Sequence, residues 1–276
     1  MLSPPSIALG VFLIAPVVLM ATVSFRADLS GDLLAPFSPT LKQYQQAFAG
    51  EGYWRLLGIS ALTAFGVAAI ATIAAYPVAY FLAFRAGRRA ALYLILLLVP
   101  FWTSYLLRVM AWKLMLGSEG VVNSVLIAAG VIQAPLDALL YNRGAVIVTL
   151  IYVWIPFAAL PILAGLGRID VRLHEAAADL YAGPYDQFRR VTLPLSLPGV
   201  VAAFFMVFIP TVGEYVTPLL VGGTGGTMYG NIIQDFFTRA ANWPIGAALS
   251  VIMLTATLAL VIVGLRLVDP RRLLAR

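Results

Sequence analysis

Long stretches of this chain carry no charged side chain at all. Arg55 and Arg85 bracket 29 uncharged residues, Arg143 and Arg168 bracket 24, Arg190 and Glu214 bracket 23, and Arg239 and Arg266 bracket 26. A helix needs about 20 consecutive apolar residues to cross a hydrocarbon core of about 30 Å. In lipid, only a helix or a closed barrel satisfies every backbone N–H and C=O. Two further runs follow the same logic. No charge precedes Arg26, so residues 7–25 form a first span, and residues 90–107 form a third, extended to about Leu116 past Arg108 and Lys113. The runs are continuous rather than alternating, which argues against a barrel. The expected fold is all-α, a polytopic membrane protein with six transmembrane helices.

Two segments need arbitration. Residues 7–25 lack Lys or Arg ahead of the apolar core and lack a clear A-x-A site, so they are read as a span and not as a cleaved signal peptide. Residues 120–136 are also uncharged, but they are short and hold Asn123, Gln133 and a helix-weakening Gly130. They are expected to form an interfacial or re-entrant helix outside the six.

Composition removes most other classes. Of 276 residues, 62% are hydrophobic and 11% charged, less than half the charged share of a soluble domain. The net charge of +6 is therefore a matter of topology rather than of nucleic-acid binding. With no cysteine and one histidine, His174, the chain has neither a thiolate nor a histidine cluster for a metal. Its two lysines, Lys42 and Lys113, follow Leu41 and Trp112, so no Gly-Lys phosphate loop exists and ATP is not bound by that route. The run from Gly222 to Gly226 has no lysine and reads as a flexible turn.

Orientation follows from the basic residues. With the N-terminus cytoplasmic, the inner segments hold 11 of the 18 Lys and Arg and 5 of the 12 acids, a net +6, and the outer segments balance to zero. The positive-inside tendency puts both termini in the cytoplasm. Residues 1–53 are then a first helix with an external segment, 54–268 a core of five spans, and 269–276 a basic tail holding Arg271, Arg272 and Arg276.

The most informative stretch is the inner loop between the fourth and fifth spans, about residues 168–194. Residues 171–182 are rich in helix formers. Gly183 can end that helix and Pro184 suits the first turn of another. Ala176, Ala177 and Leu180 make a small apolar face that a second protein could approach closely. On physics alone, a partner-docking helix and an ordinary solvated helix are equally open.

The loop also carries Glu175-Ala176-Ala177, then Val191 and, one residue on, Leu193-Pro194. This resembles the EAA loop of type I ABC-importer permeases, with the spacing kept and one departure: Tyr181 stands where that family usually has Gly, and Gly183 follows two positions later. The resemblance covers roughly residues 54–266, with the first span as an addition. It implies coupling helices that seat in a groove of a separate ATPase, with Glu175, Ala176, Ala177, Leu180, Gly183 and Arg189 at the contact. The ATP and Mg would reside on that ATPase dimer, and this chain would be no enzyme and carry no cofactor. A second permease of a different but homologous chain, an extracytoplasmic solute-binding protein and the bilayer complete the expected partners. The expected location is the bacterial inner membrane.

Two further stretches resemble the spermidine/putrescine branch of these permeases: Pro100-Phe101-Trp102-Thr103-Ser104-Tyr105 leading to Trp112, and Pro210-Thr211-Val212-Gly213-Glu214-Tyr215. A polyamine pathway needs carboxylates and aromatic faces. Glu214 lies about 24 Å along the fifth span from Pro198, toward the outer side. Glu214, Tyr215, Trp102, Tyr105 and Trp112 are the candidate pathway residues. The competing reading pairs Glu214 with Arg108 or Lys113 for structure alone and makes the aromatics an interfacial belt. Two other functions remain: an ion-driven secondary transporter, and an ABC-importer permease for another small solute.

Overall fold

The computed structural model describes residues 3–27 and 39–267, with side chains for 10–27 and 39–266. The external site near Asp32 and the tail at 269–276 lie outside the described residues. The described residues are mostly helical, and their one pairing of extended backbone is an isolated bridge between Arg26 and Pro39.

Among the described residues twelve α-helices occur in order: α1 (Ser3–Ser24), α2 (Lys42–Ala49), α3 (Glu51–Phe84), α4 (Ala90–Leu98), α5 (Tyr105–Leu116), α6 (Val121–Ala128), α7 (Arg143–Leu166), α8 (Val171–Asp179), α9 (Pro184–Gln187), α10 (Leu193–Val212), α11 (Tyr229–Thr238) and α12 (Trp243–Leu267). The core is a three-helix packing of α3, α7 and α10. Between apolar helices in lipid, association comes from close packing, which small residues permit. Helix α3 supplies a stripe of them: Ala64, Ala68, Ala71, Ala75 and Ala79 are fully buried. Helices α7 and α10 meet at Gly165 and Gly199. A Cβ on Gly199 would lie 2.6 Å from the Pro161 carbonyl oxygen, so the crossing admits no larger residue without a shift. Helices α1, α2 and α11 pack on α12 at the flank of this core.

Among the described residues four helical stretches are long and apolar enough to span: Glu51–Phe84, Arg143–Leu166, Pro184–Val212 and Trp243–Arg266. Pro77, Pro156, Pro161, Pro198 and Pro210 lie inside helices. The expected third span is different. It is broken, Gly87–Trp102 followed by Tyr105–Ala128, with a bend of 85°. The cause is local. Pro100 is the second residue of a 3-10 turn, Val99–Trp102, the Thr103 hydroxyl donates back to the Pro100 carbonyl at 2.7 Å, and Thr103 adopts extended backbone. Such side chains offer the backbone an alternative to helix continuation. The bent pair makes a fifth crossing if counted as one span. In α1 the described apolar part, Gly10–Ser24, is shorter than the other spans.

The helix expected over 120–136 is one short helix, α6. It ends at Gly130, which is left-handed (φ 69°), with Val131 N–H bonded to the Leu126 carbonyl at 3.0 Å. Asn123 is fully buried and clamps the following chain: its Nδ2 donates to Gly117 O at 3.0 Å and its Oδ1 accepts from Leu136 N at 2.8 Å.

Candidate functional site

The connection from α7 to α10 begins with Asp170, whose carboxylate accepts the Arg172 N–H at 2.9 Å and caps α8. Helix α8 ends earlier than expected, at Asp179. The residue that turns the chain is Tyr181, left-handed at φ 60°, while Gly183 is extended. Ala182 N–H bonds the Ala177 carbonyl at 3.0 Å and Tyr181 N–H the Ala178 carbonyl at 2.9 Å, closing the helix end. The position that departs from the EAA-loop pattern, Tyr181, thus makes the left-handed turn. Gly183 instead precedes α9, which opens on Pro184. A π-helical turn, Phe188–Thr192, joins α9 to α10.

The candidate loop residues fall on two sides of α8. Glu175 and Ala176 are exposed, as is Arg189 beyond α9, and Ala177 is half-buried. Leu180 is 82% and Tyr181 98% exposed. On the inward side His174 Nε2 lies 3.0 Å from Thr192 Oγ1, and its ring meets Phe84 edge-on at 5.4 Å. A cavity of about 480 Å³ lies beside the start of α8, lined by Asp170 and Leu173 on one side and by Gly165 of α7 and Gly199 of α10 on the other.

At the opposite end of α10 the chain turns at Gly213. Glu214 Oε1 accepts two backbone N–H bonds, from Val216 at 2.9 Å and Thr217 at 3.1 Å, so this carboxylate caps the turn that follows. Thr217 is fully buried, and its hydroxyl lies 2.6 Å from the Tyr105 hydroxyl, which pins the broken third span onto the 214–222 segment. Neither expected ion pair of Glu214 forms: among the described residues the salt bridges are Asp186–Arg190 and Asp235–Arg239. Arg108 lies over the Phe101 ring at 4.3 Å and Lys113 over Tyr141 at 5.7 Å. Among the described residues, Arg108 Nε and Nη1 are buried without an acceptor.

Of the five candidate pathway residues, Glu214 and Tyr105 are joined through Thr217, whose N–H bonds the carboxylate and whose hydroxyl lies against the Tyr105 hydroxyl. Trp112 sits 5.4 Å from Tyr152 in an aromatic cluster that continues through Phe101, Phe157 and Trp154. Trp102 points away and is 81% exposed. The Tyr215 carbonyl accepts from Asn231 Nδ2 at 2.8 Å while its side chain stays exposed. Tyr152, Trp154 and Phe157 were not singled out in the sequence, because aromatics inside an apolar run carry no mark that separates a cluster from lipid-facing rings.

The Gly222–Gly226 run is a turn as expected, packed at Gly222 and Gly226 and open at Gly225. Gly226 N–H bonds the Gly222 carbonyl at 2.8 Å, and a Cβ on left-handed Gly223 would lie 2.7 Å from the Tyr141 carbonyl oxygen. Arg143 Nη2 donates to the Gly225 carbonyl at 3.2 Å. Among the described residues no group of three His, Cys, Asp or Glu could hold a metal ion.

Comparison with known proteins agrees with this layout. The profile of the family described as "Binding-protein-dependent transport system inner membrane component" matches residues 1–273. The spermidine/putrescine transport system permease protein PotB of Haemophilus influenzae is 34% identical over 254 residues, 91% of this chain and 86% of that one. PotB of Escherichia coli is 35% identical over 215 residues, 75% and 78% of the two chains. The inner membrane ABC transporter permease protein YdcU of Escherichia coli is 32% identical over 202 residues, 68% and 64%. Among solved structures, a bacterial ABC transporter that imports alginate matches with a TM-score of 0.70 at 17% identity, covering 99% of this chain and 94% of that one.

Proposed function

Because the chain belongs to the family of binding-protein-dependent transport system inner membrane components, we propose that it carries a polyamine across the bilayer, beside a second, homologous permease and powered by a separate ATPase dimer. It is a multi-pass inner-membrane permease subunit of an ABC importer. The observation that carries the polyamine reading is the match to a spermidine/putrescine permease over 91% of the chain. The ion-driven alternative falls with the family assignment.

The loop between α7 and α10 is the proposed coupling element, on the cytoplasmic side with both termini. Its exposed tip supports this: Glu175, Ala176 and Leu180 are open to a partner, on a helix held at one end by Asp170 and at the other by the Tyr181 turn. Closure of an ATPase dimer would move these short helices and rock the spans as rigid bodies. A solute-binding protein would deliver the polyamine to the outer end, where Glu214 offers a negative charge and the aromatic cluster offers ring faces. Arg108 favours a second reading for the solute. Two buried N–H groups without an acceptor suit a molecule with a carboxylate or carbonyl, which a polyamine lacks.

Purification of the tagged chain from its native membrane tests the assignment. An ATPase and a second permease should accompany it, and spermidine with the cognate binding protein should stimulate ATP hydrolysis. Glu175→Lys should insert normally and lower that stimulation. Full stimulation in the variant overturns the coupling role, and a chain that purifies without an ATPase overturns the importer assembly. Stimulation by an ω-amino acid, and not by spermidine, would favour the second solute.

A further inference from the structure

We infer that His174 is the positioning residue that passes movement of α8 to the transmembrane helices, an inference that rests on the coupling role proposed for this loop. Helix α8 is nine residues long, too short to be stable without tertiary anchoring. Its packing is chiefly on α9 and the π-helical turn. Toward α7 and α10 the cavity beside Asp170 and Leu173 leaves it loosely backed. Its outward residues, Glu175, Ala176 and Leu180, face away from the bundle. His174 makes direct contacts inward to two spans, at Thr192 and at Phe84.

One reach is a hydrogen bond. Thr192 is 1% exposed and its hydroxyl also points at the Gln187 carbonyl at 3.4 Å. With the hydroxyl proton directed there, His174 Nε2–H is the donor to Thr192 Oγ1 across 3.0 Å. The other reach is the edge-on contact with Phe84, the last residue of α3. Thr192 closes the π-helical turn at the foot of α10, and Phe188 opens it. Phe188 meets the rings of Tyr76 and Tyr80 on α3 at 5.8 and 6.1 Å. The Tyr76 hydroxyl in turn lies 2.9 Å from Ser196 Oγ on α10. A push on α8 therefore arrives, through one imidazole, at a network joining the ends of α3 and α10. It arrives at a π-helical turn, an interruption of the regular ladder that often marks functional sites. The sequence offers a supporting fact: this is the only histidine in the chain.

The test uses the assembled complex in liposomes, with spermidine and the cognate binding protein as stimulus and ATP alone as baseline. Loss of one neutral hydrogen bond corresponds to roughly 2- to 10-fold in an equilibrium. His174→Ala and Thr192→Val should each lower the stimulated-to-baseline ratio by about that factor, and the double variant should be no worse than His174→Ala. His174→Gln, which keeps an N–H donor, should recover part of the loss. A merely structural role would instead lower thermal stability and subunit stoichiometry and leave the ratio of the surviving complex intact. Should His174→Ala fail to assemble, His174→Phe keeps a ring against Phe84 and should match Thr192→Val. A normal ratio in His174→Ala, or in His174→Phe where that variant replaces it, overturns the inference, as do additive effects in the double variant. Lack of stimulation in the unsubstituted complex would be the failure of the proposed function instead.

Discussion

Replacing Glu214 by Gln and by Ala separates the two roles that its position allows one carboxylate to hold. Oε1 caps the following turn by accepting from Val216 N and Thr217 N at 2.9 and 3.1 Å. A Gln side chain keeps a carbonyl oxygen that can accept both bonds. A neutral acceptor bonds more weakly than a charged one, but the cap persists. Glu214→Ala removes it, and lost caps cost about 0.5–2 kcal/mol. If the charge also meets a passing ammonium, Glu214→Gln forfeits an interaction of about 1.5–3 kcal/mol, roughly 10- to 150-fold in an equilibrium. Spermidine uptake into proteoliposomes, with the denaturation temperature of the same preparations, reads both roles. The expected pattern is a strong fall in uptake with near-normal stability for Gln, and a fall in both for Ala. Unimpaired uptake by Glu214→Gln would remove the charge from the pathway. Unchanged stability in Glu214→Ala would refute the cap.

Tyr181 holds a left-handed backbone at φ 60° on a side chain 98% exposed. Tyr181→Gly should stabilise the end of α8 by about 1 kcal/mol, seen as slower hydrogen exchange of the α8 amides, and faster exchange would contradict the strain assignment. Gly199→Ala places a methyl 2.6 Å from the Pro161 carbonyl oxygen, so it should lower the denaturation temperature with a penalty of about 1–3 kcal/mol. A stability equal to the parent would mean that α7 and α10 separate there without cost. A reporter inserted between Gly87 and Arg88 should read cytoplasmic, and an external signal would invert the topology.

The long uncharged runs were the legible part of the fold. The stretch from Arg55 to Arg85 became α3 and that from Arg143 to Arg168 became α7, because absence of charge reports directly on the tolerance of lipid. Absence of charge says nothing about straightness. The third run therefore hid its break at Thr103 and Ser104, which depends on hydroxyl and proline chemistry over three residues. The inner loop was legible as two short helices, but the turn fell on Tyr181, where residue type favoured Gly183. Local backbone bonds from Tyr181 and Ala182 to Ala178 and Ala177 close the helix there. The partners of Glu214 were not legible either. Charge suggested Arg108 or Lys113, whereas backbone N–H groups two and three residues ahead are the nearer donors. The contacts of His174 with Phe84 and Thr192 join residues 90 and 18 positions away, beyond the reach of any local pattern.

The central claim is that this chain forms a solute path coupled to ATP hydrolysis on another subunit. Its most direct measurement is uptake of labelled spermidine by proteoliposomes containing the purified complex. Accumulation should require ATP on the cytoplasmic side together with the solute-binding protein on the other, and should vanish when the ATPase is left out. Uptake by this chain alone, driven by an ion gradient without ATP, would contradict it.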